Sequence, residues 1–243
     1  MARILITGSA DGLGQLAAKA LIEEDHAVVL HARNEKRSQE ALDKVPGAER
    51  VLTADLSDQQ ETKQLAEKVN ALGRFDAVIH NAAVYQAAGE EIFSVNVLAP
   101  YILTCLIEKP ERLIYMSSDM HEGGHPKFDS LKTDRGQISY SDSKLYVLML
   151  CKAVARKWPK VYANALNPGW VPTKMGGAGA PDDLQKGYKT QVWLATSNDE
   201  RAKVSGRYFF HKKVTRYNPY ADDVELQERF ISLCKEITGI SLQ

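Results

Sequence analysis

Three observations predict an α/β fold with a doubly wound parallel sheet in a single domain. Short aliphatic runs alternate with longer stretches of helical periodicity. The runs are apolar nearly throughout, as strands covered on both faces must be. No linker, internal repeat or low-complexity tract divides the 243 residues, a length that can bury one substantial core.

Taken in order, RILIT (3–7) reads as the first strand, followed by a glycine-rich turn and the helical stretch LGQLAAKALIEE. AVVLHA (27–32) and RVLTA (50–54) are the second and third strands, and QETKQLAEKVNAL is the helix after the third. DAVIH (76–80) is the fourth, followed by the helix EIFSVNVLAPYILTCLI. RLIYMS (112–117) is the fifth, and YSDSKLYVLMLCKAVARKW the helix beyond it. VYANAL (161–166) is the sixth, and GGAGAPDD precedes the helix containing Tyr188 and Trp193. The helices near 92–107 and 140–157 are apolar around much of their circumference, so they are either deeply buried or packed on another subunit. A homodimer or homotetramer is the corresponding expectation.

Lys+Arg and Asp+Glu are balanced at 31 each, which gives no sign of nucleic acid or an acidic membrane as partner. Cys105, Cys151 and Cys234 lie far apart, as reduced thiols of a cytoplasmic protein would. MARILITG runs directly into the first strand, leaving no room for a signal peptide. The longest apolar stretch, IFSVNVLAPYILTCLI, contains Asn96 and Pro100 and falls short of the about 20 residues of a membrane span.

Residues 121–125 read HEGGH, the pattern by which zinc peptidases set two histidines one turn apart on a helix. Gly123 and Gly124 each cost roughly 1 kcal/mol in a helix interior, and Pro126 pushes His125 toward extended backbone. Phe128 and Leu131 occupy the places where the longer zinc pattern has Gly and His. A loop is therefore expected, with no metal, and with His121 in solvent or against a substrate.

The first strand ends in TGSADGLG. There Gly8 permits a tight turn, Gly12 lets a pyrophosphate approach the backbone, and Gly14 allows close helix–strand packing, with the phosphates at a helix N-terminus. The second strand ends in HARN, where an acidic residue would hold the ribose of NAD. Arg33 instead suits a 2′-phosphate. Asp11 points the other way, since its charge would repel that phosphate if it faced it. NADP (NADPH) is preferred and NAD is less favoured.

At this point the sequence resembles the short-chain dehydrogenase/reductase family, whose domain is a Rossmann fold. The likeness runs over nearly the whole chain in the family's order: TGSADGLG, ADL at 54–56, NAA at 81–83, Asn96, SS at 117–118, YSDSK at 140–144 and NPGWVPT at 167–173. The spacing from Ser118 to Tyr140, and the tail SGRYFF…ELQERFISLCKEITG, look most like the retinol-dehydrogenase-like branch. The resemblance implies that Ser9, Asp11 and Leu13 join the three turn glycines in binding the cofactor. It also implies that Asp55 and Leu56 contact the adenine, that Asn81, Ala82 and Ala83 form the floor, and that Pro168, Gly169, Val171 and Thr173 border the nicotinamide and its phosphates. HNAA in place of the common NNAG, and Asp142 within YSDSK, depart mildly from the family pattern.

Carbonyl reduction needs a hydride on carbon and a proton on oxygen. Tyr140 is the candidate acid, with Lys144 one helical turn on and placed to lower the phenol toward neutral pH together with oxidised nicotinamide. By resemblance Lys144 also binds the nicotinamide ribose. Ser118 would hold the substrate oxygen, with Ser117 as competitor because adjacent strand residues face opposite ways. Asn96 would bind a water linking Lys144 to solvent. Stretches 119–139 and 170–193 would wall the substrate pocket, the second as a mobile lid, with Tyr85, Phe128, Trp170 and Tyr188 in its lining. A small apolar carbonyl or alcohol is the expected substrate. A non-catalytic NADP-binding sensor or partner-binding protein on the same scaffold is the alternative.

Overall fold

The six aliphatic runs do form strands. In the computed structural model, which describes residues 1–243, these are β1 (Arg3–Ile6), β2 (Ala27–Ala32), β3 (Arg50–Thr53), β4 (Ala77–His80), β5 (Arg112–Met116) and β6 (Tyr162–Asn167). Two more, β7 (Tyr208–Phe210) and β8 (Lys213–Val214), complete one sheet of order β3-β2-β1-β4-β5-β6-β7-β8. All neighbours are parallel except β8, which turns back on β7 through His211 and Lys212, both at positive φ. The chain moves outward from β1 to β3, then returns to lay β4 on the other side of β1. Diverging connections of this kind open a crevice at the carboxyl ends of β1 and β4.

Nine α-helices cover the sheet: α1 (Gly12–Glu23), α2 (Glu35–Lys44), α3 (Gln59–Ala71), α4 (Gly89–Phe93), α5 (Ala99–Leu106), α6 (Phe128–Thr133), α7 (Tyr140–Lys157), α8 (Leu184–Thr196) and α9 (Val224–Thr238). Strand side chains divide between two layers, as the double winding requires. Leu5, Val29, Val78 and Leu113 join a core of 45 buried residues with α3, α5, α7 and α9. Ile4, Ile6, Val28, Leu30 and Ile79 join one of 22 with α1 and α8. Each fully buried Leu or Ile contributes about 1.5–3 kcal/mol.

The stretch expected as one helix over 91–107 is α4 and α5 joined by a π-helical turn, Ser94–Leu98, with Asn96 inside it. α7 starts on a capping box: the Ser139 hydroxyl accepts the Asp142 N–H at 3.1 Å, and Asp142 Oδ2 accepts the Ser139 N–H at 3.0 Å. Its apolar circumference is covered within the chain, by β5 and β6 on one side and α9 on another, so it gives no support to a subunit interface. Cys151 on α7 and Cys234 on α9 are fully buried, and Cys105 on α5 is partly so. No helix is long and apolar enough to cross a membrane.

HEGGH begins as a turn of 3₁₀ helix, Asp119–Gly123, rather than as open loop. The expectation that His121 faces solvent or substrate fails: its ring is fully buried against Tyr208, with centroids 4.7 Å apart. Nε2 of His121 accepts the Asn218 N–H at 3.1 Å, and Nδ1 meets the Ser118 carbonyl. The Asn218 amide donates to the carbonyls of His121, Glu122 and Gly124 at 3.1–3.3 Å. Asp142 takes the His125 N–H at 2.8 Å and the Lys127 ammonium at 3.1 Å. Phe128, expected in the substrate pocket, is buried between Tyr146 and Phe230 because α6 turns its apolar face to the core.

Candidate active site

The crevice at the β1–β4 divergence is a cleft of about 590 Å³. One end is made by the glycine turn. Gly8 has φ 63°, and a Cβ there would stand 2.8 Å from the Ala82 backbone. A Cβ on Gly14 would stand 2.5 Å from Asn81 Nδ2 and 2.7 Å from the Gly8 carbonyl, so Gly14 packs α1 against β4 and does not line the cleft. Gly12 has φ 56° and nothing nearer than Thr173 at 3.9 Å, which leaves its surface open. Asn81 donates to the Thr7 and Gly8 carbonyls at 3.0 and 3.1 Å, locking the floor to the turn. Below it, His31 Nδ1 accepts the Gly8 N–H and Nε2 meets the Ala54 carbonyl, each at 3.0 Å. Burial pushes this imidazole down to about 4, so it stays neutral. Ser9, expected on the cofactor, turns its hydroxyl inward to the Ile6 carbonyl and is fully buried.

The N–H groups of Leu13 and Gly14 have no protein acceptor at the start of α1. An anion is the natural partner for them. Around the same end stand Arg33, Arg37 and Lys174. Asp11 caps α1 by accepting the Gly12 N–H at 2.8 Å, and its other oxygen pairs with Lys174 and with Arg37 at 3.3 Å. Burial alone would raise its carboxyl, but Lys174, the Gly12 N–H and Arg37 bring it down to about 2. The charge feared to repel a 2′-phosphate is thus held between cations. Arg37 and Lys174 escaped the sequence reading. Arg37 had a readable signal, an arginine at the third position after the helix cap Asn34, whereas Lys174 arrives from a distant loop. Asp55 and Leu56 line this end too, the Asp55 carboxylate accepting from the Ser57 hydroxyl at 2.7 Å.

At the other end, Tyr140 and Lys144 project from the first turns of α7 into the cleft. Lys144 Nζ lies 5.3 Å from the centre of the Tyr140 ring and donates to the Met116 carbonyl at 2.9 Å. Burial brings this amine down to about 7. The Tyr140 phenol is raised, first by burial and then by Tyr85 and Asp119, and not lowered as expected from Lys144. Burial in a low-dielectric site disfavours the phenolate. The Asn96 side chain, expected to hold a relay water, is hydrogen-bonded to protein groups. Its Nδ2 donates to the Val84 carbonyl at 3.0 Å and the Ser143 hydroxyl at 3.1 Å, while Oδ1 accepts the Val84 N–H at 2.8 Å. Both amide hydrogens are used, which makes it a clamp on the floor segment.

Tyr140 also borders a second cavity of about 480 Å³, with Ser118, Tyr85 and Trp170 in its wall. The two serines divide as strand alternation requires. Both border the second cavity, but the Ser117 hydroxyl donates to the Lys144 carbonyl at 2.9 Å and the residue is buried, while Ser118 is half-buried. Pro168 and Thr173 reach the cleft; Gly169 and Val171 line the second cavity. From the 119–139 stretch only Asp119 and Met120 reach it. Tyr188 does not, because α8 packs it on the smaller core. The loop after β6 is folded on itself: the Trp170 N–H donates to Asp182 at 2.6 Å and the indole to the Gly176 carbonyl at 2.8 Å.

Residues 2–124 match the short chain dehydrogenase family. The uncharacterized oxidoreductase AN7799 of Emericella nidulans is 45% identical over 100% of this chain and 99% of its own. Retinol dehydrogenase 13 of mouse is a more distant relative, 26% identical over 98% of this chain and 84% of its own. A short-chain dehydrogenase of Shigella flexneri solved in complex with NADP superposes with a TM-score of 0.67 at 21% identity, covering 87% of this chain and 97% of its own.

Proposed function

This chain belongs to the short-chain dehydrogenase family, and from that membership we propose that it interconverts a small apolar carbonyl and its alcohol with NADP. The observation that carries the reading is the position of Tyr140, which borders the nucleotide-sized cleft and the apolar cavity at once. The unpartnered Leu13 N–H at the cleft fits a pyrophosphate, and Arg33, Arg37 and Lys174 fit a 2′-phosphate better than a bare ribose. Bound there, the cofactor supplies the hydride and, once oxidised, a positive ring charge.

Tyr140 gives its phenolic proton to the carbonyl oxygen as the carbon is reduced. Lys144, held by the Met116 carbonyl, adds positive charge when protonated and restores the proton afterwards. Ser118 fixes the direction of the carbonyl oxygen. Asn96 keeps the floor segment in register beside Ser143. Tyr85, Met120 and Trp170 keep water from the reacting carbon.

The test is reduction of a carbonyl panel with NADPH and NADH, followed by the cofactor's absorbance. Tyr140→Phe is expected to lower kcat by roughly 10²–10⁴ while NADPH binding persists in a fluorescence titration. Unchanged turnover in that variant would remove Tyr140 from its role.

A further inference from the structure

Resting on the carbonyl chemistry just proposed, we infer that Asp119 selects carbonyl substrates carrying an N–H or O–H donor next to the reacting group, and discriminates against those carrying an anion there. Exposed large apolar side chains are few in this protein, and four of them, Tyr85, Met120, Trp170 and Met175, surround the second cavity. Within that apolar lining Asp119 is the only charged side chain. It forms no ion pair with any lysine, arginine or histidine. A lone carboxylate facing apolar walls favours a ligand that brings a donor or a cation to it.

Its place in the cavity makes that donor specific. Asp119 Oδ1 accepts the Ser118 hydroxyl hydrogen at 3.0 Å, and Ser118 Oγ accepts the Met120 N–H at 3.2 Å. The single hydrogen of Ser118 is therefore committed to Asp119 and not to a substrate oxygen. A substrate donor beside the carbonyl resolves this. It takes over Asp119 Oδ1, and the Ser118 hydrogen turns to the carbonyl oxygen. The field of Asp119 reaches the reacting end, since it contributes to raising the Tyr140 phenol. A carboxylate on the substrate at the same place would face the like charge of Asp119 and be repelled.

The experiment compares acetophenone, α-hydroxyacetophenone and benzoylformate, which share one ring and differ beside the carbonyl. Each is reduced with NADPH by the wild type, Asp119→Asn and Asp119→Ala, with thermal melting as the check on folding. The reading is the ratio of kcat/KM to that of acetophenone, compared between proteins so that the intrinsic reactivity of each ketone cancels. In both variants the ratio for α-hydroxyacetophenone is expected to fall about tenfold and that for benzoylformate to rise about tenfold, the effect of one charge-assisted contact. Ratios that stay within about twofold of wild type would overturn the role of Asp119 and leave the carbonyl reading standing, because a tenfold effect is the smallest one such a contact gives. Absence of wild-type turnover on all three ketones would overturn the carbonyl reading and the selectivity together.

Discussion

Asp11 places a carboxylate inside a turn built for phosphates, and its neighbours decide what that means. Lys174 and Arg37 neutralise it, while Arg33 stands exposed at the same end of the cleft with no ion-pair partner. Arg33→Ala is therefore expected to weaken NADPH about tenfold, the value of a charge-assisted contact, and to change NADH affinity little. Fluorescence titration of both nucleotides checks it, and equal losses for both would mean that Arg33 does not read the 2′-phosphate. Lys144 makes a second prediction, about pH. Burial sets its folded value at about 7, against 10.5 for the free side chain. Between those values the unfolded chain holds a proton that the folded chain has released, so stability rises with pH, by up to about 1.4 kcal/mol per unit. Below about 7 both states are protonated and this contribution is flat, with its cost fully present. Urea melts from pH 7 to about 8 are expected to show that slope in the difference between wild type and Lys144→Met, a comparison in which the opposing effect of the three buried thiols cancels.

Among the elements, the 3₁₀ turn at 119–123 is held by a residue almost a hundred positions away. Removing the Asn218 amide leaves the Glu122 and Gly124 carbonyls without their donor, while His121 keeps the Gly124 N–H. Asn218→Ala is expected to cost about 1–3 kcal/mol in denaturant unfolding and to raise KM more than it lowers kcat, because the turn carries Asp119 and Met120 but not Tyr140. The same turn marks how far the sequence could be read. Its glycines and proline fit a short 3₁₀ turn rather than an α-helix, yet they cannot say that His121 points inward, since that depends on Asn218 and Tyr208. The six long strands were legible because burial on both faces leaves unbroken aliphatic runs. β7 and β8 were not, at three and two residues. α2 escaped because only Ser38 and Ala41 of its ten residues are buried, leaving almost no apolar stripe. The π turn around Asn96 has the composition of ordinary helix, and only the clamp on Val84 distinguishes it.

At the scale of the molecule, the order of motifs along the chain reflects the order of strand ends around one crevice. Glycine turn, HARN, ADL, NAA, Ser118 and NPG each follow a successive strand of the parallel sheet, so each arrives at the same edge. That is why the cleft residues were readable from spacing, whereas the second cavity, built from loops 85–86, 118–120 and 168–176, was readable only in part. Side-chain direction in loops follows from contacts such as those of Asp182 and Asn218, which no local pattern encodes.

The three cysteines give the folded chain a built-in clock. Burial pushes the Cys105 and Cys151 thiols up to about 12 and raises Cys234 well above the ordinary thiol value, so at neutral pH none offers a nucleophilic sulfur while its helix stays docked. An alkylating reagent can capture the fully buried Cys151 and Cys234 only during excursions that part α7 from α9, and their rate of modification then counts those openings. Added nucleotide that grips the cleft should slow the count for Cys151, which shares a helix with Tyr140 and Lys144.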